Sequence, residues 1–418
     1  MADGIATFSR LRALAEASRQ GLPLLDLAMH ESFSLYWMGK FESAAELALR
    51  GMQVARQFGR QDFVSMTVIT AHAAAAFLAC GHTEKAAELI DPLTTGPPSR
   101  YTWFVHMCRA EIDLLRGDVE AATRRQEQVR AQLGYPSSIL AAPAEAQRAA
   151  EIKLWAGRPA DALEEVTRVL ALFGTGNMTA FCGWLVAVGM RACADLAEQA
   201  RARRDEPAER DAAASGAKLA AWVEERASGP LSDYPFFATL RAERATWDAE
   251  RTRLAGASDP GAWSAAARAW ADLSCPHRAG YAWWRRAEAH LSAGQDRQAA
   301  GTALRAAAAV ADGHAPLLAE IRKLAGRARI PLDVPPAATQ TPPPAAVPAP
   351  YGLTGRELAV LRLLAAGATN AQIGARLYIS PKTASVHVTG ILRKLGASSR
   401  VQAAAVAERA GLLEGGPP

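Results

Sequence analysis

The sequence predicts an all-α chain, an array of helical hairpins followed by a four-helix unit built around a tight helix-turn-helix corner. Three observations predict it. A turn glycine with an alanine five residues later recurs through the first 330 residues, a proline-rich stretch interrupts all patterning at 331–350, and capping signals open short amphipathic runs between Leu353 and Ala410. At 418 residues the chain exceeds one typical domain. The divisions drawn are 1–330 for the array, 331–350 for a tether and 351–418 for the four-helix unit.

In the array the recurring sets are Gly39/Phe41/Ala44, Gly81/Thr83/Ala86, Gly117/Val119/Ala122, Gly157/Pro159/Ala162 and Gly294/Asp296/Ala299. Each glycine is expected to end one amphipathic helix and each alanine to let the next pack close. The first four glycines lie 42, 36 and 40 residues apart. That is looser than the roughly 34 of a strict tetratricopeptide repeat. Between Gly157 and Gly294 there is room for about three more hairpins with degenerate turns, and the mixed-charge segment 201–211 reads as a solvated loop. A stacked array buries each hairpin against its neighbours and leaves a long concave surface. Nothing before Leu25 has the pattern of a full cap, so the array is expected to begin partway into a larger architecture. Trp263, Trp270, Trp283 and Trp284 have the spacing of packed helix faces and are assigned to the core rather than to a ligand box.

Several function classes are excluded by what the array contains. The start of the chain has an early acid and no apolar core of a signal peptide, and the stretches Met178 to Met190 and around His72 are too short or too weakly apolar to span a bilayer. A cytoplasmic protein with no membrane partner is the expectation. The five cysteines never form a CxxC pair and read as reduced small hydrophobes. Gly39-Lys40 lacks the earlier glycine and the following hydroxyl of a phosphate loop. No nucleophile elbow or zinc-protease signature appears, no two histidines stand at i, i+4, and no receiver-type acidic pocket is present. The expectation is no enzyme, with no catalytic, cofactor-binding or metal-ligating residues.

Residues 331–350 are too rich in proline for helix or sheet and predict an extended, semi-rigid tether. Beyond it, Thr354 with Glu357, Thr369 with Gln372 and Ser399 with Gln402 have the spacing of capping boxes, in which a hydroxyl and a later Glu or Gln satisfy each other's free backbone amides. The third helix opens instead on Ser380 with Pro381 at its first position. Gly367, Gly396 and Gly411 stand where these helices should stop. Leu358, Leu361, Leu364 and Ala365 form the first core stripe, Ile373 and Leu377 the second, and Ala384, Val388, Ile391, Leu392 and Leu395 the third. Opposite that third stripe lie Lys382, Ser385, Val386, Thr389 and Arg393, a polar and basic face carrying one valine. From residue 351 onward eight cations face three acids, which is +5, and the whole chain is also +5. The surplus positive charge therefore sits entirely on this unit, the electrostatic footprint of a module that meets nucleic-acid phosphate. A bare helical hairpin is the bland alternative.

The segment also resembles the LuxR-type (GerE-like) helix-turn-helix, at Leu353-Thr354, Arg356-Glu357, Val360-Leu361, Gly367, Asn370, Ile373, Leu377, Ile379-Ser380, Thr383, His387, Ile391, Lys394-Leu395-Gly396 and Arg400. The resemblance implies a sequence-specific transcription regulator that binds double-stranded DNA as a homodimer on two-fold-related half-sites. Activator is the sign of regulation adopted, with RNA polymerase among the candidate partners. Base contacts are implied for Ser385, Val386 and Thr389, and phosphate contacts for Thr369, Asn370, Lys382, Thr383, Arg393, Lys394 and Arg400. The family often places a lysine where Ser385 stands and another basic residue where Thr389 stands, so bidentate reading of guanine does not follow from those hydroxyls. Val386 has the chemistry to pack on a thymine methyl. His387, at the edge of the core stripe, reads as a packing residue, and Lys394 has the alternative role of a helix-end cation.

The hairpin pattern resembles the divergent tetratricopeptide-like array that precedes the DNA-binding domain in large LuxR-type regulators of the MalT class. That resemblance implies a superhelical sensor for a small molecule, a peptide or another protein. Two other functional readings stand beside it: an interaction scaffold without DNA binding, and the C-terminal remnant of an ATP-driven regulator.

Overall fold

The computed structural model describes residues 7–8, 10–11, 13–14, 21–57, 63–133, 142–173, 182–226, 238–292, 294, 296–332, 355–370, 372–373, 385, 388, 391–392, 394–397 and 399–410. It divides into two units, Met1–Val334 and Pro335–Pro418, and all regular structure among the described residues is helical. The proline-rich stretch from 333 to 350 lies outside the described residues.

The first unit is a run of antiparallel hairpins. Helices α1 (Gly21–Trp37) and α2 (Phe41–Gln57) turn at Gly39, and α3 (Phe63–Ala79) and α4 (Thr83–Ile90) turn at Gly81. The next two pairs, α5 (Trp103–Leu115) with α6 (Val119–Leu133) and α7 (Ala142–Trp155) with α8 (Pro159–Leu170), turn at Gly117 and Gly157. Then α9 (Gly183–Arg203) pairs with α10 (Glu206–Arg226), α11 (Ala238–Leu254) with α12 (Pro260–Asp272), and α13 (Pro276–Ser292) with α14 (Arg297–Val310) before the closing helix α15 (Ala315–Ala328). The glycines at these turns have positive φ, the left-handed conformation that ends a helix without a Cβ penalty. Gly81 is constrained twice over, because with φ at +77° an added Cβ would also stand 2.7 Å from Pro276 Cγ.

Three expectations for the array change. Segment 201–211 is not a loop: α9 runs to Arg203, Arg204 takes the left-handed cap at φ 57°, and α10 begins at Glu206. The segment is exposed, yet Arg201 donates to Glu209 Oε1 at 2.9 Å and to the carbonyls of Leu254 and Arg253 at 3.0 Å each, so the corner is pinned to the end of α11. Two hairpins rather than three fill the interval between Gly157 and Gly294, because α9 and α10 are each 21 residues long and the second hairpin turns at Gly256. After Gly294 the helix starts one residue later than in the earlier hairpins, with Asp296 as N-cap accepting from the Ala299 amide. The buried alanine there is Ala300, and Ala299 is only half-buried.

The array also closes on itself instead of leaving an open concave surface. Phe41 and Cys80, from the turns of the first two hairpins, share a core cluster with Ala242, Trp270, Cys275 and Ala279. At the third turn, a Cβ on Gly117 would lie 3.3 Å from Ala315 Cβ. Small residues at the helix crossings permit this tight coiling; at Gly51 on α2 an added Cβ would meet Ala28 of α1 at 2.5 Å. The odd-numbered helices α1 to α13 consequently face inward around a central cavity.

Trp263, Trp270 and Trp284 are buried and Trp283 is half-buried, in keeping with a core role. All five cysteines are free and buried, and burial pushes the Cys80, Cys108 and Cys193 thiols up to about 12. Gly39-Lys40 sits at the α1–α2 turn. Among the described residues no helix is long and apolar enough to cross a membrane, and no cluster of metal-ligating side chains occurs.

Candidate nucleic-acid interface

The second unit is built on α16 (Gly355–Ala365) and α17 (Arg400–Arg409), which pack together around one apolar cluster. Val360, Leu361 and Ile373 are wholly buried, and Leu363, Leu364, Val388, Ile391 and Leu395 nearly so. Ala403 and Ala407, four apart on α17, seal the cluster from the other side. The core stripe read for α16 was too narrow: Val360 and Leu363 are buried as well, whereas Ala365 is half-buried. Leu358, Leu377 and Ala384 have no described side chains.

Local signals position the remaining residues. Ala366-Gly367 ends α16, with Gly367 at φ 81°. Thr369 and Gln372 then form the reciprocal box: the Thr369 amide donates to Gln372 Oε1 at 2.8 Å and the Gln372 amide to Thr369 Oγ1 at 3.3 Å. Gly396, at φ 63°, follows the helical pair Lys394-Leu395. Ser399 caps α17 by accepting from the Gln402 amide at 3.2 Å. The Thr354, Ser380, Pro381 and Gly411 signals lie outside the described residues.

Of the three residues assigned to base contacts, Ser385 is helical and exposed, while Val386 and Thr389 lie outside the described residues. Val388, three positions on, is also helical and is buried in the core. Among the phosphate set, Thr369 is exposed, and Asn370, Lys394 and Arg400 are half-buried; Lys382, Thr383 and Arg393 lie outside the described residues, as does His387. The structure brings two of the phosphate set together in a way the sequence did not signal. Arg400 donates to the Asn370 side-chain oxygen and, at 3.2 Å, to the Ala368 carbonyl. A guanidinium carries five donors, so these two bonds leave others for a phosphate.

Residues 352–407 match the family model described as "Bacterial regulatory proteins, luxR family". Over 57 residues the chain is 53% identical to the transcriptional regulatory protein LiaR of Bacillus subtilis, covering 14% of this chain and 27% of that one. It is likewise 53% identical over 51 residues to the nitrate/nitrite response regulator protein NarP of Escherichia coli, covering 12% and 24%. The chain thus spans about a quarter of the length of these relatives. Among solved structures, a Rap protein complexed with competence and sporulation factor aligns over 92% of this chain and 99% of that one, at 9% identity and a TM-score of 0.46. The helical unit at residues 352–407 is therefore a LuxR-family helix-turn-helix domain.

Proposed function

We propose that this chain is a non-enzymatic, cytoplasmic transcription regulator. Residues 351–418 bind double-stranded DNA, residues 331–350 tether that domain, and the array of residues 1–330 senses an effector. The observation that carries the reading is the coincidence of charge and fold. The chain's entire +5 surplus arises from residue 351 onward, and seven of the eight cations there fall on the segment that matches a DNA-binding family model. Ser385, helical and exposed where the nearby helical residues Val388 and Ile391 are buried, stands with Val386 and Thr389 as the base-reading set. Thr369, Asn370, Lys382, Thr383, Arg393, Lys394 and Arg400 form the phosphate-holding set. On DNA the protein acts as a homodimer across two-fold-related half-sites, and an activator role would add RNA polymerase as a partner.

The second reading is an interaction scaffold without DNA binding, favoured by the hydroxyl of Ser385 at a position the family often gives to lysine. Electrophoretic shifts of the full chain against a randomised duplex library, with sequencing of the retained pool, separate the two. Retention of a two-fold motif is the expected result, and no retention at low salt would leave the scaffold reading standing.

A further inference from the structure

The cavity at the centre of the array leaves about 90 Å3 to the centres of water-sized spheres, room for several waters or a small organic molecule, and is partly open to solvent. Its wall holds two guanidiniums in aromatic clamps. Arg278 of α13 lies 3.9 Å from the Trp184 ring centroid and 4.7 Å from that of Trp270. Arg191 of α9 lies 4.7 Å from the Trp155 centroid and 4.5 Å from that of Tyr281. Stacking satisfies the faces of a guanidinium and fixes its plane, but leaves its N–H edge in need of acceptors.

No wall acceptor bonds the Nε of Arg191. Arg191 Nε is buried with no hydrogen-bond partner, and its nearest carboxylate oxygen, Asp195 Oδ2, is 3.8 Å away. Asp195 is itself engaged at Oδ1, by Arg253 at 2.7 Å and Arg285 at 3.2 Å. Arg278 has no carboxylate oxygen within 4 Å among the described residues. The acids of the cavity are, by contrast, committed. Glu111 accepts from Arg148 at 2.9 Å, Glu250 from Arg253 at 2.7 Å and Tyr281 at 2.6 Å, and Glu151 from Trp184 Nε1 at 2.7 Å. A third donor completes the wall: His314 Nδ1 accepts from the Leu317 amide at 3.3 Å, so a neutral ring carries its hydrogen on Nε2. Burial pushes that histidine well below its usual range, which keeps the ring neutral.

We propose that this cavity binds a small organic anion, with a carboxylate or phosphate head accepting from Arg191 and Arg278 and a flat apolar body against the half-buried Trp155 and Trp184. A buried donor without an acceptor costs about 1–3 kcal/mol, more when charged, and an anionic head removes that cost at Arg191 Nε while gaining the half-buried fork of Arg278. A cationic ligand finds only acids already paired. The assignment rests on the sensor reading of the array and gives the sensed molecule its chemistry.

The test is calorimetric titration of the full chain with phenylacetate, phenyl phosphate and the neutral 2-phenylethanol at fixed pH and ionic strength. One-to-one binding of at least one anion is expected, preferred over the alcohol by about tenfold or more, and the better of the two heads identifies the group. Arg278→Gln and Arg191→Gln should each weaken that binding about tenfold or more. If either loses its helical circular dichroism, Arg278→Lys and Arg191→Lys keep the charge but not the planar fork, and should weaken it likewise. Equal binding of the alcohol, an unweakened lysine variant, or no saturable binding of either anion at millimolar concentration overturns the assignment. The same preparation is run in the DNA shift. A chain that shifts DNA but takes neither anion refutes the cavity assignment alone; one that takes an anion but shifts no DNA refutes the regulator reading alone.

Discussion

Arg400 donates from Nη1 to the carbonyl oxygen of Ala368 at 3.2 Å, tying the first turn of α17 to the segment that leads from α16 into the second helix of the DNA-binding domain. The same guanidinium holds the Asn370 side chain, so both ends of the link lie among residues assigned to phosphate. Arg400→Ala should therefore do more than remove a positive charge. We expect a local cost of about 1–2 kcal/mol, the size of hydrogen bonds to a charged group that is half-exposed. Amide exchange at Ile373, whose N–H is bonded to the Thr369 carbonyl at 2.8 Å, should speed up. DNA affinity should fall for all duplexes alike. Unchanged exchange in the variant would reduce Arg400 to a surface cation.

Lys394, helical and half-buried just before Gly396, is assigned to phosphate rather than to bases. Neutralising one phosphate releases roughly one condensed counterion, so Lys394→Ala should lower the slope of log affinity against log salt by about 0.9. Lys382→Ala should do the same, and neither should alter the selected motif. Val386→Ala should relax preference at one base pair by about 1–3 kcal/mol. A changed motif with an unchanged salt slope in the lysine variants would exchange the two roles.

The sequence made the DNA-binding domain legible because short-range chemistry dominates there. Thr369 and Gln372 announce each other across three residues, and Gly367 and Gly396 mark helix ends by conformational freedom alone. Hairpin turns at Gly39, Gly81, Gly117 and Gly157 were readable for the same reason. The turn at Arg204 was hidden, since a non-glycine residue held left-handed by its surroundings leaves no compositional mark. Closure of the array was hidden more deeply. It depends on Phe41 and Cys80 meeting Trp270 and Cys275, pairings 190 or more residues apart that periodicity cannot register. One trace of the cavity was present: Arg278 stands three residues before Tyr281 on a buried stripe, where a cation is out of place unless something else needs it.

Glu165 on α8 is almost wholly buried and gathers three cations: Arg130 of α6 at 2.8 Å, Lys153 of α7 at 2.5 Å and Arg168 at 2.6 Å. Burial alone would raise its pKa, but the bonds from Lys153 and Arg130 outweigh burial and hold the carboxyl below its usual range. A lowered acid contributes stability that is present above its unfolded pKa and lost as pH falls through the folded value. Glu165→Gln should destabilise the array by about 2–3 kcal/mol at neutral pH. That is less than the 3–5 kcal/mol typical of breaking a fully buried pair, because the three cations keep partial access to water. The difference between variant and parent in urea unfolding should shrink on acidification, and a difference constant with pH would assign Glu165 to packing instead.

Glu243 on α11 has the opposite shift. Burial pushes its carboxyl up to about 7, against the opposing influence of Arg278 and a hydrogen bond with Thr239. Gly183 makes room for it, since a Cβ there would stand within 2.2 Å of Glu243 Oε2. For an acid raised in the folded state, the stabilising form is the protonated one. Its contribution is complete below the ordinary value of 4.5 and declines as pH rises through about 7. A shift of this size corresponds to about 3 kcal/mol between the two limits. Glu243→Gln, which keeps the shape and cannot ionise, should match the parent near pH 4.5 and exceed its stability by roughly that amount at pH 8. Buried histidines titrate in both proteins, so the quantity to follow is the difference in urea midpoint between them across that range. If the two curves run parallel from pH 4.5 to 8, Glu243 ionises no differently in the folded chain than in the unfolded one, and the pocket behind Gly183 admits water.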